Sequence, residues 1–189
     1  MNRIVWVFGQ SAAGKETFMK YAVANPGCEL MRQLGYANAK IIPVFGYPVS
    51  GCPEFDYDKT DKIEIVLDLI KKETNAVILI KWQHYDTGHD ASISNLTKLK
   101  SLAYNTQNEI ICLSVESDVL YARLADKPWF DENEAANFSR KKMETVVETM
   151  RGNIKKYLTL GFKLAAEIDA TNGYKMIGNS MEENLCLDF

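Results

Sequence analysis

Arg3-Ile-Val-Trp-Val-Phe8 runs straight into Gly9-Gln-Ser-Ala-Ala-Gly14-Lys15-Glu16-Thr17, and the reading of this stretch decides the fold. The apolar run is rich in β-formers and short enough for a buried strand. The loop after it fits G-x-x-x-x-G-K at every fixed position, with a helix expected from about Lys15. Only the next place departs, where Glu16 stands instead of Ser or Thr. Glycines let the backbone curl so that successive N–H groups converge on phosphate oxygens, and a helix N-terminus adds positive potential. Lys15 would bring a mobile charge to the outer phosphates. A plain strand-to-helix turn with an exposed lysine is the bland alternative; the order strand, loop, helix favours phosphate binding. The candidate cofactor-binding residues are therefore Gly9, Gln10, Ser11, Ala12, Ala13, Gly14, Lys15, Glu16 and Thr17.

The 189 residues suit one domain, 1–189, with a full core. An apolar share of 47% and a charged share of 25% are ordinary for a globular protein. A net charge of −3 argues against a non-specific nucleic-acid or acidic-membrane binder. Arg140-Lys-Lys142 is the one basic cluster and reads as a solvated helix face. Cys28, Cys52, Cys112 and Cys186 are scattered without C-x-x-C spacing, which favours neither zinc nor a disulfide framework. Reduced thiols in a cytoplasm are the simplest reading. No stretch approaches the roughly 20 apolar residues of a membrane span, and the first apolar run is too short for a signal peptide. A homodimer is compatible with all of this.

Further along, Thr17 to Ala24 reads as helix, Glu29 to Leu34 as a short second one, and Lys40 to Phe45 as a strand whose Pro43 suggests a sheet edge. Gly46 to Thr60 is broken by glycines and prolines and reads as a loop. Asp61 to Lys72 is an amphipathic helix with Ile63, Val66, Leu67 and Ile70 on one face. Ala76 to Ile80 is a continuous apolar run, the mark of a central parallel strand. Helices are expected over about 92–105, 118–125 and 134–160, and strands over Ile110–Val115 and Leu164–Asp169. Strands alternating with helices imply βαβ units, a parallel sheet and ligands at the strands' C-terminal ends.

The chain as a whole resembles the P-loop kinases of nucleotides and small metabolites, both the nucleoside-monophosphate kinases of the adenylate and cytidylate type and shikimate kinase. The resemblance rests on Gly9 to Thr17 and on the element order, and implies an α/β three-layer sandwich with a five-stranded parallel sheet flanked by helices. It further implies ATP and Mg²⁺ as cofactors, a small-molecule acceptor bound by an insert at about 46–60, and a lid at about 126–140. Adenylate and cytidylate kinases read G-K-G-T, and Gly14-Lys15-Glu16-Thr17 looks like that variant. By this likeness Thr17 meets the inner phosphates and serves the metal, which is held largely through waters. Glu16 either faces away from the phosphates or holds those waters. The resemblance casts Arg123 as the base-stacking arginine after the fourth strand, and Lys127, four residues on, as the lid cation; an ion pair of Arg123 with Asp126 or Glu116 is the plain alternative. Arg140 is a further lid candidate. Thr171 and Asn172 fall in the turn that meets the purine edge in that family. Asp86 falls just past the third strand, where many P-loop proteins carry an acid tied to metal or base. The candidate catalytic residues are thus Lys15, Arg123, Asp86 and Lys127.

For the acceptor side the candidates are Arg32, Tyr47, Glu54, Asp56, Tyr57, Trp82, His84 and Asp86. Arg32 is the only basic one, which favours a neutral acceptor such as a nucleoside or small alcohol. His84 and His89 with Asp86 and Asp90 make no standard metal pattern. Trp82 with Tyr85, and Trp129 with Phe130, read as core or lid aromatics before base-stacking ones. An ATP-dependent phosphotransferase is the leading reading. A nucleotide-binding module without phosphotransfer is the alternative, and a motor or signalling NTPase ranks last. The third strand ends in Lys-Trp-Gln where an ATPase would offer an aspartate, and no N-K-x-D guanine signature is present.

Overall fold

The protein is described by a computed structural model over residues 1–46, 55, 57, 61–82, 98, 100–102, 106–127, 152 and 154–178. Six strands form one sheet: β1 (Arg3–Gly9), β2 (Lys40–Val44), β3 (Ala76–Lys81), β4 (Gln107–Ser114), β5 (Lys163–Asp169) and β6 (Lys175–Gly178), in the order β2-β3-β1-β4-β5-β6. The first five are mutually parallel, and β6 pairs antiparallel with β5. The expected five-stranded sheet therefore gains a sixth, reversed strand. Its four residues bear little buried apolar surface, and its existence depends on β5 offering an edge. The helices are α1 (Lys15–Ala24), α2 (Glu29–Gln33), α3 (Lys62–Lys72) and α4 (Ser117–Ala125), with further helical backbone at 98, 100–102, 152 and 154–159.

Period-two alternation on β1 divides the core into two layers. Ile4, Trp6 and Phe8 pack with α3 and with Ile154, Tyr157 and Phe162, whereas Val5 and Val7 pack with Phe18, Met19 and Ala22 of α1 and Met31 of α2. Helices thus cover both faces of a mostly parallel sheet. Trp82, offered above as an acceptor residue, lies in the first layer, edge-on to Trp6 at 4.7 Å between centroids. Pro43 sits on edge strand β2, where a missing N–H disturbs no outer neighbour. α3 starts at Asp61, whose carboxylate accepts from the Ile63 and Glu64 N–H groups at 2.8 and 3.4 Å. It buries Ile63, Ile65, Val66 and Leu69, while Leu67 and Ile70 are half-buried. Asn2 joins its far end to β3 by donating to the Ile70 and Glu73 carbonyls and accepting from Ala76 N–H.

The chain reaches β2 and β3 on one side of β1 before crossing to β4 and β5 on the other. That reversal makes β1 the switch point, where a parallel sheet leaves an open crevice at its C-terminal edge. The register sets Val7 opposite Lys81, Gly9 opposite Leu113 and Ser114 opposite Asp169. Four strand ends are thereby gathered around residues 9–17. The expected insert at 46–60 lies outside the described residues except for Gly46, Phe55 and Tyr57, as does the expected lid beyond Lys127. The same holds for the helices expected at 92–105 and 134–160, apart from the positions given above.

Candidate functional site

Gly9 closes β1 in a tight space. A Cβ there would lie 3.2 Å from the Cβ atoms of Ala13 and Leu113 and from the Leu113 carbonyl. A side chain there would force Ala13 or Leu113 to give by a few tenths of an ångström, so glycine suits the loop's close approach to β4. Ala12 and Gly14 follow with φ of 62° and 86°, placing two left-handed residues within three. Such alternation turns successive N–H groups to one side, the geometry of an anion-binding nest. Ala13 N–H bonds back to the Gln10 carbonyl at 3.2 Å and braces the turn. No side chain caps α1, and the first intrahelical bond runs from Phe18 N–H to the Gly14 carbonyl at 2.8 Å. The N–H groups of Lys15, Glu16 and Thr17 accordingly belong to the helix's open first turn, where its dipole is positive.

Lys15 is buried, at 5% exposure, and its Nζ donates to the Gly9 and Gln10 carbonyls at 2.6 and 2.8 Å. Burial, followed by the nearby charges of Lys81 and Lys62, pulls its pKa down to about 7. Lys81 is the last residue of β3 and stands beside the loop. Glu16 lies between two ammonium groups, 3.1 Å from Lys20 Nζ and 3.7 Å from Lys81 Nζ. Its carboxylate is thus directed at lysines.

A cleft of about 770 Å³ opens over this loop, lined by Ser11 to Thr17, Lys81, Arg123, Asp126, Lys127, Ala170, Gly173 and Tyr174. On the β5 side, Arg123 of α4 donates to the Ala170 and Thr171 carbonyls at 2.9 and 2.8 Å. These backbone acceptors hold it in place of the ion pairs considered above. Thr171 is buried, accepts from Glu116 N–H at 3.1 Å, and donates its own N–H to Asp169 at 2.8 Å. Hydrogen bonds from the Thr171 side chain and backbone hold the Asp169 carboxyl below its usual range. This turn is clamped onto the end of β4. Tyr174, edge-on to Phe18 at 5.3 Å, forms an aromatic wall beside Arg123.

Of the residues expected from sequence, Ser11 to Thr17, Arg123 and Lys127 meet at one cleft. Gly9 and Gln10 lie beneath it as acceptors for Lys15. Thr171 acts through its clamp, and Asn172 is exposed and off the cleft wall. Arg32 is exposed on α2 and paired with Glu29 at 2.9 Å, and Tyr57 donates to the Pro43 carbonyl at 3.3 Å. Asp86, His84, His89, Asp90, Tyr47, Glu54, Asp56, Tyr85, Trp129, Phe130 and Arg140 lie outside the described residues. Lys81 and Tyr174 line the cleft without having been among the expected site residues, although Lys81 begins a segment expected at the sheet's C-terminal edge. For Lys81 the signal was present: the first charge after a continuous apolar strand sits at that strand's C-terminal end.

A divalent cation needs hard oxygen donors. Thr17, Glu16 and Asp126 offer oxygens at the cleft, but Glu16 is engaged by two lysines, and Lys15 and Lys81 bring positive charge to the same place. Among the described residues no three His, Cys, Asp or Glu side chains gather as a metal site. The described part of the cleft fits polyphosphate well and a divalent cation poorly. Among the described residues, no helix is long and apolar enough to cross a membrane.

No protein-family profile and no curated protein matches the sequence. Among solved structures, the chain is similar to shikimate kinase from Bacteroides thetaiotaomicron at 14% identity and a TM-score of 0.39, over 85% of each chain. Likeness at that level carries no functional weight, and the site stands on its own geometry.

Proposed function

We propose that the chain is an ATP-dependent phosphotransferase that moves the γ-phosphate to a small-molecule acceptor. The observation that carries this reading is the buried Lys15 ammonium, held by the Gly9 and Gln10 carbonyls at the open first turn of α1. Such a group swings a short distance to meet a phosphate oxygen and exchanges carbonyl partners for a full negative charge. The loop amides and α1 would cradle the inner phosphates. Arg123 and Tyr174 border the far end of the cleft, where a base would lie, and Lys127 would approach the transferring group from the α4 side. Phosphoryl transfer asks the protein for alignment and charge stabilisation more than covalent chemistry. Thr17 would meet the inner phosphates, and Asp86, from the segment after β3, would assist the acceptor.

A second reading, a nucleotide-binding module without transfer, is favoured by one observation: both carbonyl bonds of Arg123 tie it to the β5–β6 turn. A coupled assay of nucleotide release, run over a panel of nucleosides, nucleotides and small alcohols, separates the two. Turnover with one acceptor, lost in Lys15→Ala, is the expected result. Tight ATP binding with no product from any acceptor would leave only the binding module.

A further inference from the structure

The strand beside the phosphate loop ends in an ammonium. β3 is buried from Ala76 to Ile80 and then ends in Lys81, whose register partner Val7 lies two residues before Gly9 on the neighbouring strand. The Lys81 side chain is 16% exposed and shares the cleft with Lys15, Glu16 and Thr17. Its position is fixed from below and from the side. Trp82 N–H bonds to the Val7 carbonyl at 3.1 Å, prolonging the contact with β1 past the strand's end. Lys62 donates to the Lys81 carbonyl at 2.8 Å and stands 5.7 Å from the Trp82 ring centroid. Its stem packs over Gly46, where any Cβ would collide with it. Among the described residues, the acid thus stands next to the loop lysine and the cation stands at the end of the strand. Glu16 keeps Lys81 beside the loop at 3.7 Å, a loose contact that a phosphate oxygen can outcompete through a shorter charge-assisted bond. A divalent ion seated here would face two ammonium groups.

We infer, resting on the phosphate-site reading above, that Lys81 replaces the divalent cation on the bound polyphosphate, so that the site takes its ligand in metal-free form. Glu16 would hold Lys81 ready and release it to the incoming phosphates, retaining Lys20 as its partner.

Isothermal titration of the full chain with inorganic tripolyphosphate and with ATP, each in EDTA and in excess Mg²⁺, tests this. Wild type should bind both probes in EDTA at least as tightly as in Mg²⁺. Lys81→Ala should weaken binding in EDTA by about tenfold or more, the range for losing a hydrogen bond to a charged group. Added Mg²⁺ should recover most of that loss. Lys81→Met keeps the stem packed and serves where truncation disturbs the fold, and Lys81→Asp should make binding depend on Mg²⁺. Wild-type binding only with Mg²⁺, or unchanged EDTA binding in folded Lys81→Ala, would overturn the inference while leaving a phosphate site standing. Folded wild type that binds neither probe in either buffer would remove the phosphate reading, and this inference with it.

Discussion

Toward the N-terminal ends of the strands, Glu109 accepts from the Tyr36 hydroxyl at 2.6 Å and lies 3.8 Å from Arg3, whose guanidinium stands over the Tyr36 ring. At the C-terminal ends, Lys15 is buried just as deeply, yet its described partners are two carbonyls and its charged neighbours are lysines. Both clusters use the same sheet and the same central strand. One closes its charges within the protein, and the other sets a buried ammonium beside further lysines at an open cleft, where Glu16 reaches Lys81 and Lys20. A buried charge without an opposite partner is costly, and its retention at the cleft supports the proposal that a phosphate ligand completes the structure there. The closed cluster should govern stability and the open one binding, and each variant below tests that division.

Lys15→Ala should produce the largest effect. Removing one preorganised stabilising group costs on the order of 10²–10³ in turnover. Stability should hold or rise, because the buried ammonium goes with the side chain. A steady-state assay paired with urea denaturation checks both halves. Loss of activity through unfolding would contradict the contrast between the two ends.

Next is the pH dependence. Lys15 titrates at about 7 in the folded chain and at roughly 10.4 when unfolded. Between those values the unfolded state binds the extra proton, so this group makes stability rise with pH across that window. Its destabilising effect is fully present below about 7. A polyphosphate favours the ammonium and reverses the order. Binding above pH 7 should take up a proton, and affinity should fall by up to about tenfold per unit as pH rises. Calorimetry in two buffers of different ionisation enthalpy measures the uptake, with Lys15→Ala as the control that lacks it.

Tyr36→Phe addresses the other end. Burial, then the charge of Glu109, pushes the Tyr36 hydroxyl well above its ordinary pKa, so it remains a donor throughout the working range. Removing it takes from the buried Glu109 carboxylate its short hydrogen bond, leaving Arg3 at 3.8 Å, and should cost about 1–3 kcal/mol of stability. Tripolyphosphate affinity should not move. Chemical denaturation and titration of the same sample report both values, and a weakened affinity would break the division between the ends.

These two ends also differ in how far they could be read from the chain itself. The loop was legible because its constraints are local. Gly9 and Gly14 serve a close approach and a left-handed turn within a few residues of the strand they follow. Alternation and continuous apolar runs likewise identify the strands from β1 to β5, although β4 begins at Gln107, in a polar lead-in that periodicity does not reveal. What was missed depends on pairing between distant segments. Lys81 becomes a cleft residue because Val7 is its register partner, and β6 exists because β5 leaves an edge. Thr171 reads as a turn residue contacting a base, but Glu116 N–H, 55 positions away, makes it a clamp. Lys62 and Lys81 likewise reach the neighbourhood of Lys15 from α3 and the end of β3, segments distant from the loop in sequence.

Glu16→Gln should have the smallest effect and make the sharpest distinction. Glu16 stands where the loop pattern carries a hydroxyl, and its partners are Lys20 at i+4 and Lys81 across the cleft. If its task were to hold a metal's waters, neutralising it should weaken binding in Mg²⁺ and leave binding in EDTA unchanged. If it holds Lys81 in reserve, neutralisation loosens that one contact and removes a negative charge from beside the phosphates. Pairs this exposed are worth about 0.2–1 kcal/mol, so tripolyphosphate should bind up to about fivefold more tightly in EDTA. The Lys81→Ala background should erase the gain, because the carboxylate then restrains nothing on β3. Titration of the single and double variants in EDTA measures this coupling, and an equal gain with or without Lys81 would confine the role of Glu16 to α1.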